Sequence, residues 1–373
     1  MAGFMSQPQR FGDPAPEIGY FAHHGGHEGH SICDPPLSTD PHQEHHHPHD
    51  SEDHPDHDHG HHHHPDHGEH PDHDCGHHQN HEPHHDHDPG HHHDHGDHHG
   101  HAHAHGRPKP KKPGILLAAF GVAIPEARGG LCAVEAAVRE AYPGCAVEWA
   151  FTAHKVRRKM KRRGFHAVSV AEALSHLYDE GVTHLAVQSL HTVPGVEYHW
   201  TRDQAEVYRH PRKGFLEVQM GGPLLESEGD LQRTRAALAD YIPAERKPEE
   251  AVVLVGHGTY HAGHQRYLDF QECVRHTDPQ VFVGALMGKP GCGEILEFLQ
   301  AAGAERVWLL PFMSVAGHHV RVDIYGDHPR SWKNRLTAAG FSVETRLTGT
   351  LEHPGFREIW LDHLRKAAAA VMG

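Results

Sequence analysis

Short apolar runs alternating with helix-length amphipathic segments predict an α/β protein of parallel sheets flanked by helices. The same strand-helix plan occurs twice between residue 113 and the C-terminus, so the fold should consist of two similar lobes. Ahead of them lies a long segment almost without apolar side chains, which predicts a disordered N-terminal tail.

The tail and the lobes are different materials. About two-thirds of the 50 histidines fall between His23 and His105, in a segment made mostly of His, Asp, Gly, Pro and Glu. Residues 1–106 carry one basic and 20 acidic residues, a formal charge of −19, while residues 107–373 carry 33 basic and 30 acidic, or +3; together they give the −16 of the whole chain. With so little to bury, the segment cannot offset the entropy of ordering. The expected organisation is a tail and linker over 1–112, a first lobe over 113–248 and a second over 249–373. Runs such as His61–His64 and the alternating His101, His103 and His105 predict that the tail binds late first-row divalent metals, without fixing which one.

The elements can be read in order. Ile115–Phe120 is an apolar run stopped by Gly121. A helix from about Arg128 to Ala141 ends at Pro143-Gly144. The strand Ala146–Phe151 precedes a basic helix over about 153–163 and a helix over about 170–180. Strands over 183–190 and 215–220 follow, then a helix over 228–241. The second series reads as a strand at 252–255, a helix over 264–274, a strand at 281–286, a helix over 292–301 and a strand at 306–312. A helix at 332–338, a strand at 342–345 and a closing helix over 353–371 complete it.

Two stretches in this series carry candidate chemistry. Val252-Val253-Leu254-Val255-Gly256-His257-Gly258 ends an apolar run on a histidine between glycines. Leu309–His319 does so again, with His319 62 residues after His257. Both have the form of a buried parallel strand that releases a histidine at its C-terminal end, where open α/β sheets place ligands. Residues 185–197 match residues 307–319 at a constant offset of 122, which sets Glu197 opposite His319. Phe120-Gly121 answers His257-Gly258 in the same way. Glu197, His257 and His319 are therefore expected in one cleft.

Several classes are disfavoured. The first 22 residues lack a signal-peptide apolar run, and nothing approaches the roughly 18 apolar residues of a membrane span, so a soluble cytoplasmic protein without a membrane partner is expected. Six cysteines without CxxC spacing are expected to be reduced thiols. The loop Gly288–Gly293 lacks Walker spacing and reads as a turn into a helix. Seven cations occupy the nine positions from Lys155 to Arg163, a run basic all round its helix. Such a surface suits an anionic ligand, a docked acidic tail or nucleic acid.

The motifs Phe120-Gly121, Ala150-Phe151-Thr152, Gln188-Ser189-Leu190-His191, Gly195-x-Glu197-Tyr198, Gly256-His257-Gly258, Val315-Ala316-Gly317-x-His319 and Ser331-Trp332-Lys333 resemble the anaerobic sirohydrochlorin cobaltochelatases, of the class II tetrapyrrole chelatases. The resemblance covers residues 114–373. It implies a two-lobed fold with metal and tetrapyrrole in the cleft, and metal ligands at His257, His319 and Glu197. It also implies tetrapyrrole contacts at Phe120 and Gly121, with no organic cofactor and no nucleic-acid partner, and the charge of the basic run adds Arg157 and Arg158 as expected contacts for macrocycle carboxylates. The divalent metal is then a substrate. At Met287 the resemblance leads one to expect an acidic residue instead.

Residue chemistry agrees with this reading. Two imidazoles and a carboxylate suit Co(II), Ni(II) or Fe(II) and leave positions open for an incoming macrocycle. His257 is expected to be ligand and principal proton acceptor, His319 the second ligand, and Glu197 a ligand or secondary base. His191, His261, His264 and His318 are weaker candidates for a relay. The leading expectation is cobalt insertion into sirohydrochlorin or precorrin-2 for cobalamin synthesis. The alternatives are nickel or iron insertion, or a non-catalytic nickel or cobalt store. A homo-oligomer is one option for assembly.

Overall fold

The computed structural model describes residues 31–33 and 110–373. The metal-binding tail expected over 1–112 lies, apart from residues 31–33 and 110–112, outside the described residues. Two parallel four-stranded sheets make up the fold. The first contains β1 (Pro113–Ala119), β2 (Ala146–Phe151), β3 (His184–Ser189) and β4 (Glu217–Gly221), in the order β2-β1-β3-β4. The second contains β5 (Ala251–Gly258), β6 (Val281–Met287), β7 (Arg306–Pro311) and β8 (Ser342–Thr345), in the order β6-β5-β7-β8. The two orders are the same topology, as the internal repeat predicts.

The near-continuous apolar runs are what central parallel strands require, because both faces are covered. Ile115, Leu116, Leu117 and Ala118 of β1 are fully buried, as are Val252 to Val255 of β5. In the edge strand β2 the alternation has two destinations. Val147, Trp149 and Phe151 join the core shared by both sheets, whereas Ala150 packs with the residues of the third flanking helix.

Nine α-helices cover these faces among the described residues: α1 (Gly129–Ala141), α2 (His154–Arg162), α3 (Val170–Asp179), α4 (Val196–Val207), α5 (Glu228–Tyr241), α6 (Gln265–Arg275), α7 (Cys292–Ala301), α8 (Trp332–Ala338) and α9 (Pro354–Met372). Helices α3 and α5 begin on reciprocal capping boxes, Ser169 with Glu172 and Ser227 with Asp230. The closing helix α9 follows the second sheet in the chain but packs against β3 and β4 of the first and against α5. Its Trp360 indole donates to the carbonyl of His191 at 3.1 Å, and its His363 joins Gly222 and Asp230. One core cluster therefore runs from Ile115 through Val252 and Phe312 to Trp360.

Three features depart from the sequence reading. Helix α4 is not apparent in the pattern: it mixes Val196, Trp200 and Val207, all strongly exposed, with charged residues and has little core-facing stripe. A π-helical turn, Val320–Ile324, follows His319. The expectation of reduced cysteines fails at Cys33, which is disulfide-bonded to Cys132 on α1. The cause is packing that no local spacing encodes. Ile32 is buried in the core and its amide donates to Glu135 at 2.9 Å, which brings the Cys33 and Cys132 Cα atoms to 5.6 Å. Cys145, Cys273 and Cys292 are free. No helix among the described residues is long and apolar enough to cross a membrane.

Candidate metal and macrocycle site

The C-terminal ends of β1, β3, β5, β6 and β7 open onto one cavity of about 940 Å³. His257 stands at the end of β5 and is held there by its neighbours' lack of side chains. A Cβ on Gly256 would lie 2.5 Å from the Tyr267 ring, and one on Gly258 would lie 1.7 Å from the Met287 carbonyl oxygen. Gly258 also has a φ of +79°, a left-handed conformation that glycine adopts without strain. The Gly-His-Gly motif is thus the condition for turning the chain out of β5 against β6.

His319 comes from the loop after β7, immediately before the π-helical turn. Its ring lies edge-on to His257 with centroids 5.0 Å apart, and Phe120, at the end of β1, lies 5.3 Å from His257. The two imidazoles are held through the same nitrogen. His257 Nδ1 is 3.1 Å from the Gly258 carbonyl, which can only accept, so Nδ1 carries the proton. His319 Nδ1 is 2.7 Å from Asp323 Oδ2. The Asp323 carboxyl is held below its ordinary range, first by this hydrogen bond, so it is ionised and accepts from Nδ1–H. On each ring Nε2 is then the nitrogen left to bind a metal when the imidazole is neutral. Removal from water, and then the neighbouring His319, push the His257 pKa below the ordinary histidine value.

Glu197 lies in the first turn of α4, where a helix N-terminus favours a carboxylate, and it lines the same cavity. Phe120, Gly121 and Met287 line it too. Met287, the last residue of β6, pairs with Gly258, so the position expected to be acidic does face the site. The other histidines divide. His191 lines the cavity after β3, its Nδ1 2.8 Å from Ser189 Oγ and its Nε2 3.4 Å from Thr152 Oγ1. Burial, and then His257, push its pKa down to about 4. His318 also lines the cavity. By contrast, His264 fastens two loops, accepting from the Thr259 amide and donating to the Lys289 carbonyl at 2.6 Å. His261 caps the turn at Gly263 and lies outside this cavity.

The basic helix is organised differently from the all-round basic run read in the sequence. Lys155, Lys159, Arg162 and Arg163 line the cavity, a stripe at helical spacing along and just beyond α2. Arg157 and Arg158 do not. Arg157 Nη1 donates to the carbonyls of Phe151 (2.6 Å) and Thr152 (2.9 Å), which anchors α2 to the end of β2, and Arg158 is exposed away from the cavity. Rotation about the helix axis, set by burial of Met160, decides which cations face inward.

The cleft sets the apolar side chains of Phe120, Val122 and Met313 beside the imidazoles of His257 and His319. Fold and site together describe a two-lobed α/β protein with one cleft lined by imidazoles, a carboxylate, cations and apolar side chains. Residues 113–369 match the cobalt chelatase (CbiK) family, and the chain belongs to that family. It is 43% identical over 260 residues to sirohydrochlorin cobaltochelatase CbiKC of Nitratidesulfovibrio vulgaris, covering 70% of this chain and 92% of that one. It is 30% identical over 258 residues to the sirohydrochlorin cobaltochelatase of Salmonella typhimurium, covering 69% and 96%. Among solved structures, SirB from Bacillus subtilis with Fe3+ is similar over 70% of this chain and 98% of that one, at 16% identity and a TM-score of 0.48.

Proposed function

We propose that this chain is a sirohydrochlorin cobaltochelatase that inserts Co(II) into the macrocycle in the cleft, with release of two protons. The observation that carries the reading is the neighbouring pair His257 and His319, each with Nδ1 committed to a protein acceptor, which leaves Nε2 to ligate. Membership of the cobalt chelatase family supports it.

In this reading the metal is a substrate held by His257, His319 and Glu197. Three protein ligands leave coordination positions for incoming ring nitrogens, and the bonds to imidazole and carboxylate are exchanged for bonds to the macrocycle. Two pyrrole N–H bonds break as the metal enters, and the protons pass to neutral bases in the cleft. The depressed pKa of His257 suits a ligand that must stay unprotonated until the metal leaves it. The His191 imidazole, neutral by the same argument, is a further acceptor at the wall. Lys155, Lys159, Arg162 and Arg163 would receive macrocycle carboxylates through charge-assisted hydrogen bonds. The cavity volume lies at the upper end of the usual range for small-molecule sites, roughly 300–1,000 Å³, which suits a tetrapyrrole.

An anaerobic spectrophotometric assay with sirohydrochlorin and Co(II), Ni(II) or Fe(II) in separate reactions tests the proposal. Acceleration over the uncatalysed rate, greatest with cobalt, is the expected result. A preference for nickel or iron would reassign the metal, and acceleration with none of the three, despite tight metal binding, would point to storage or delivery.

A further inference from the structure

Outside the cleft, one group of side chains combines ligating atoms with an electrostatic deficit. We infer that Glu148, His166 and His176 form a second divalent-cation site, on the α3 side of the first sheet, for a late first-row ion such as Zn(II).

Glu148 stands in the middle of the edge strand β2, flanked in sequence by Val147 and Trp149, which turn to the opposite face and the shared core. Its carboxylate is therefore directed under α3 and the segment that leads into it. That segment runs beside β2, where the Phe151 amide donates to the Val168 carbonyl at 2.9 Å, and it carries His166. His176 lies in the last turn of α3, one residue before the buried Leu177. The three elements bring one nitrogen from each imidazole and one carboxylate oxygen within 4.8 Å of one another.

The carboxylate is what makes this more than a surface coincidence. Glu148 is only 6% exposed, yet its Oε1 makes no hydrogen bond among the described residues. Burying an unsatisfied carboxylate oxygen is costly, and a cation is the usual remedy. This oxygen faces both imidazoles, 3.5 Å from His166 Nε2 and 3.6 Å from His176 Nδ1. Ligands about 2.0–2.1 Å from a tetrahedral Zn(II) are separated by roughly 3.4 Å, so the spacing fits two ligands of one ion. The imidazoles are partly exposed, at 33% and 47%, which leaves an entry path and a position for water. A second trio, Glu226, Asp230 and His363, differs on this point. Asp230 there accepts from the Ser227 amide and hydroxyl and from His363, so it is already satisfied as a helix cap.

None of the three residues lines the cleft, although Arg163, three residues before His166, does. A bound ion would pin the connection between α2 and α3 to the edge strand, behind the wall that carries the cationic stripe.

Diethyl pyrocarbonate labelling of the full-length protein, read by peptide mass spectrometry, resolves these histidines from all others. Free Zn(II) is set by a metal buffer so that other ligands on the chain do not deplete it. At free Zn(II) near ten times the dissociation constant, labelling of His166 and His176 should slow about tenfold. Glu148→Gln should abolish the protection at both, and His176→Asn, at a half-exposed position that folding tolerates, should abolish it at His166. Unchanged labelling at all Zn(II) levels, or protection that persists in Glu148→Gln, would overturn the site. Should Glu148→Gln fail to fold, loss or retention of protection in His176→Asn decides the matter.

Discussion

Replacing Asp323 by asparagine isolates what the proposed metal site owes to a residue that is not itself among the proposed ligands. The Asp323 carboxylate accepts from His319 Nδ1–H at 2.7 Å and fixes the tautomer that leaves Nε2 to ligate, on a ring 5.0 Å from that of His257. A hydrogen bond to a charged group is worth about 1.5–3 kcal/mol. Both partners are 42% exposed, so solvent screening reduces that to about 1 kcal/mol, or roughly a fivefold loss of metal affinity at the site. An asparagine can present its amide NH₂ to Nδ1 instead, which favours the wrong tautomer and deepens the loss toward the ten- to hundredfold range known for such partners. Initial rates measured against Co(II) at saturating macrocycle should show KM for metal raised at least about fivefold, with a smaller change in KM for macrocycle. If KM for metal is unchanged in Asp323→Asn while His319→Ala is inactive, the pair does not set the ligand, and the tautomer argument is wrong.

Other expectations follow from the same geometry. The His191 pKa of about 4 lies below the ordinary value near 6.5, so the unfolded chain takes up this proton more readily than the folded one. Its contribution to stability is complete above about 6.5 and is lost as pH falls toward 4, by up to about 3 kcal/mol; chemical denaturation should show His191→Asn losing less over that window than the parent. Gly258→Ala forces a positive φ and places Cβ against the Met287 carbonyl, and should cost at least about 2 kcal/mol by the same method while disabling metal binding. Charge reversal at Lys159 and Arg162 should raise KM for macrocycle about fivefold at low salt and flatten its salt dependence. The same reversal at Arg158, exposed away from the cavity, should leave both nearly unchanged.

The fold was largely legible because its signals are local. Buried parallel strands must be apolar on both faces, and Val252–Val255 and Ile115–Ala118 announce themselves as such. The duplication was legible because β3 and β7 keep the same register toward Glu197 and His319. What depends on rotation or on distant packing was not. Seven cations in nine positions do not say which of them face inward until Met160 and Val156 choose the buried side of α2, which leaves Arg157 and Arg158 outside the cavity lining. Nor does a sequence pattern show that α9 returns to the first sheet, or that Ile32 docks beside Glu135 and carries Cys33 to Cys132. Asp323 was within reach, since it lies four residues after His319, but its role needed the π-helical turn that brings the carboxylate to Nδ1.

In the proposed function the cleft binds the metal substrate between His257 and His319. Crystals of the full-length protein soaked anaerobically in Co(II), with diffraction data collected on both sides of the cobalt absorption edge, test it most directly. An anomalous peak is expected within coordination distance of Nε2 of both His257 and His319, with the Glu197 carboxylate turned toward it, and no such peak in His257→Ala crystals. A cleft without cobalt in the parent protein, or a peak there that survives in His257→Ala, would contradict it.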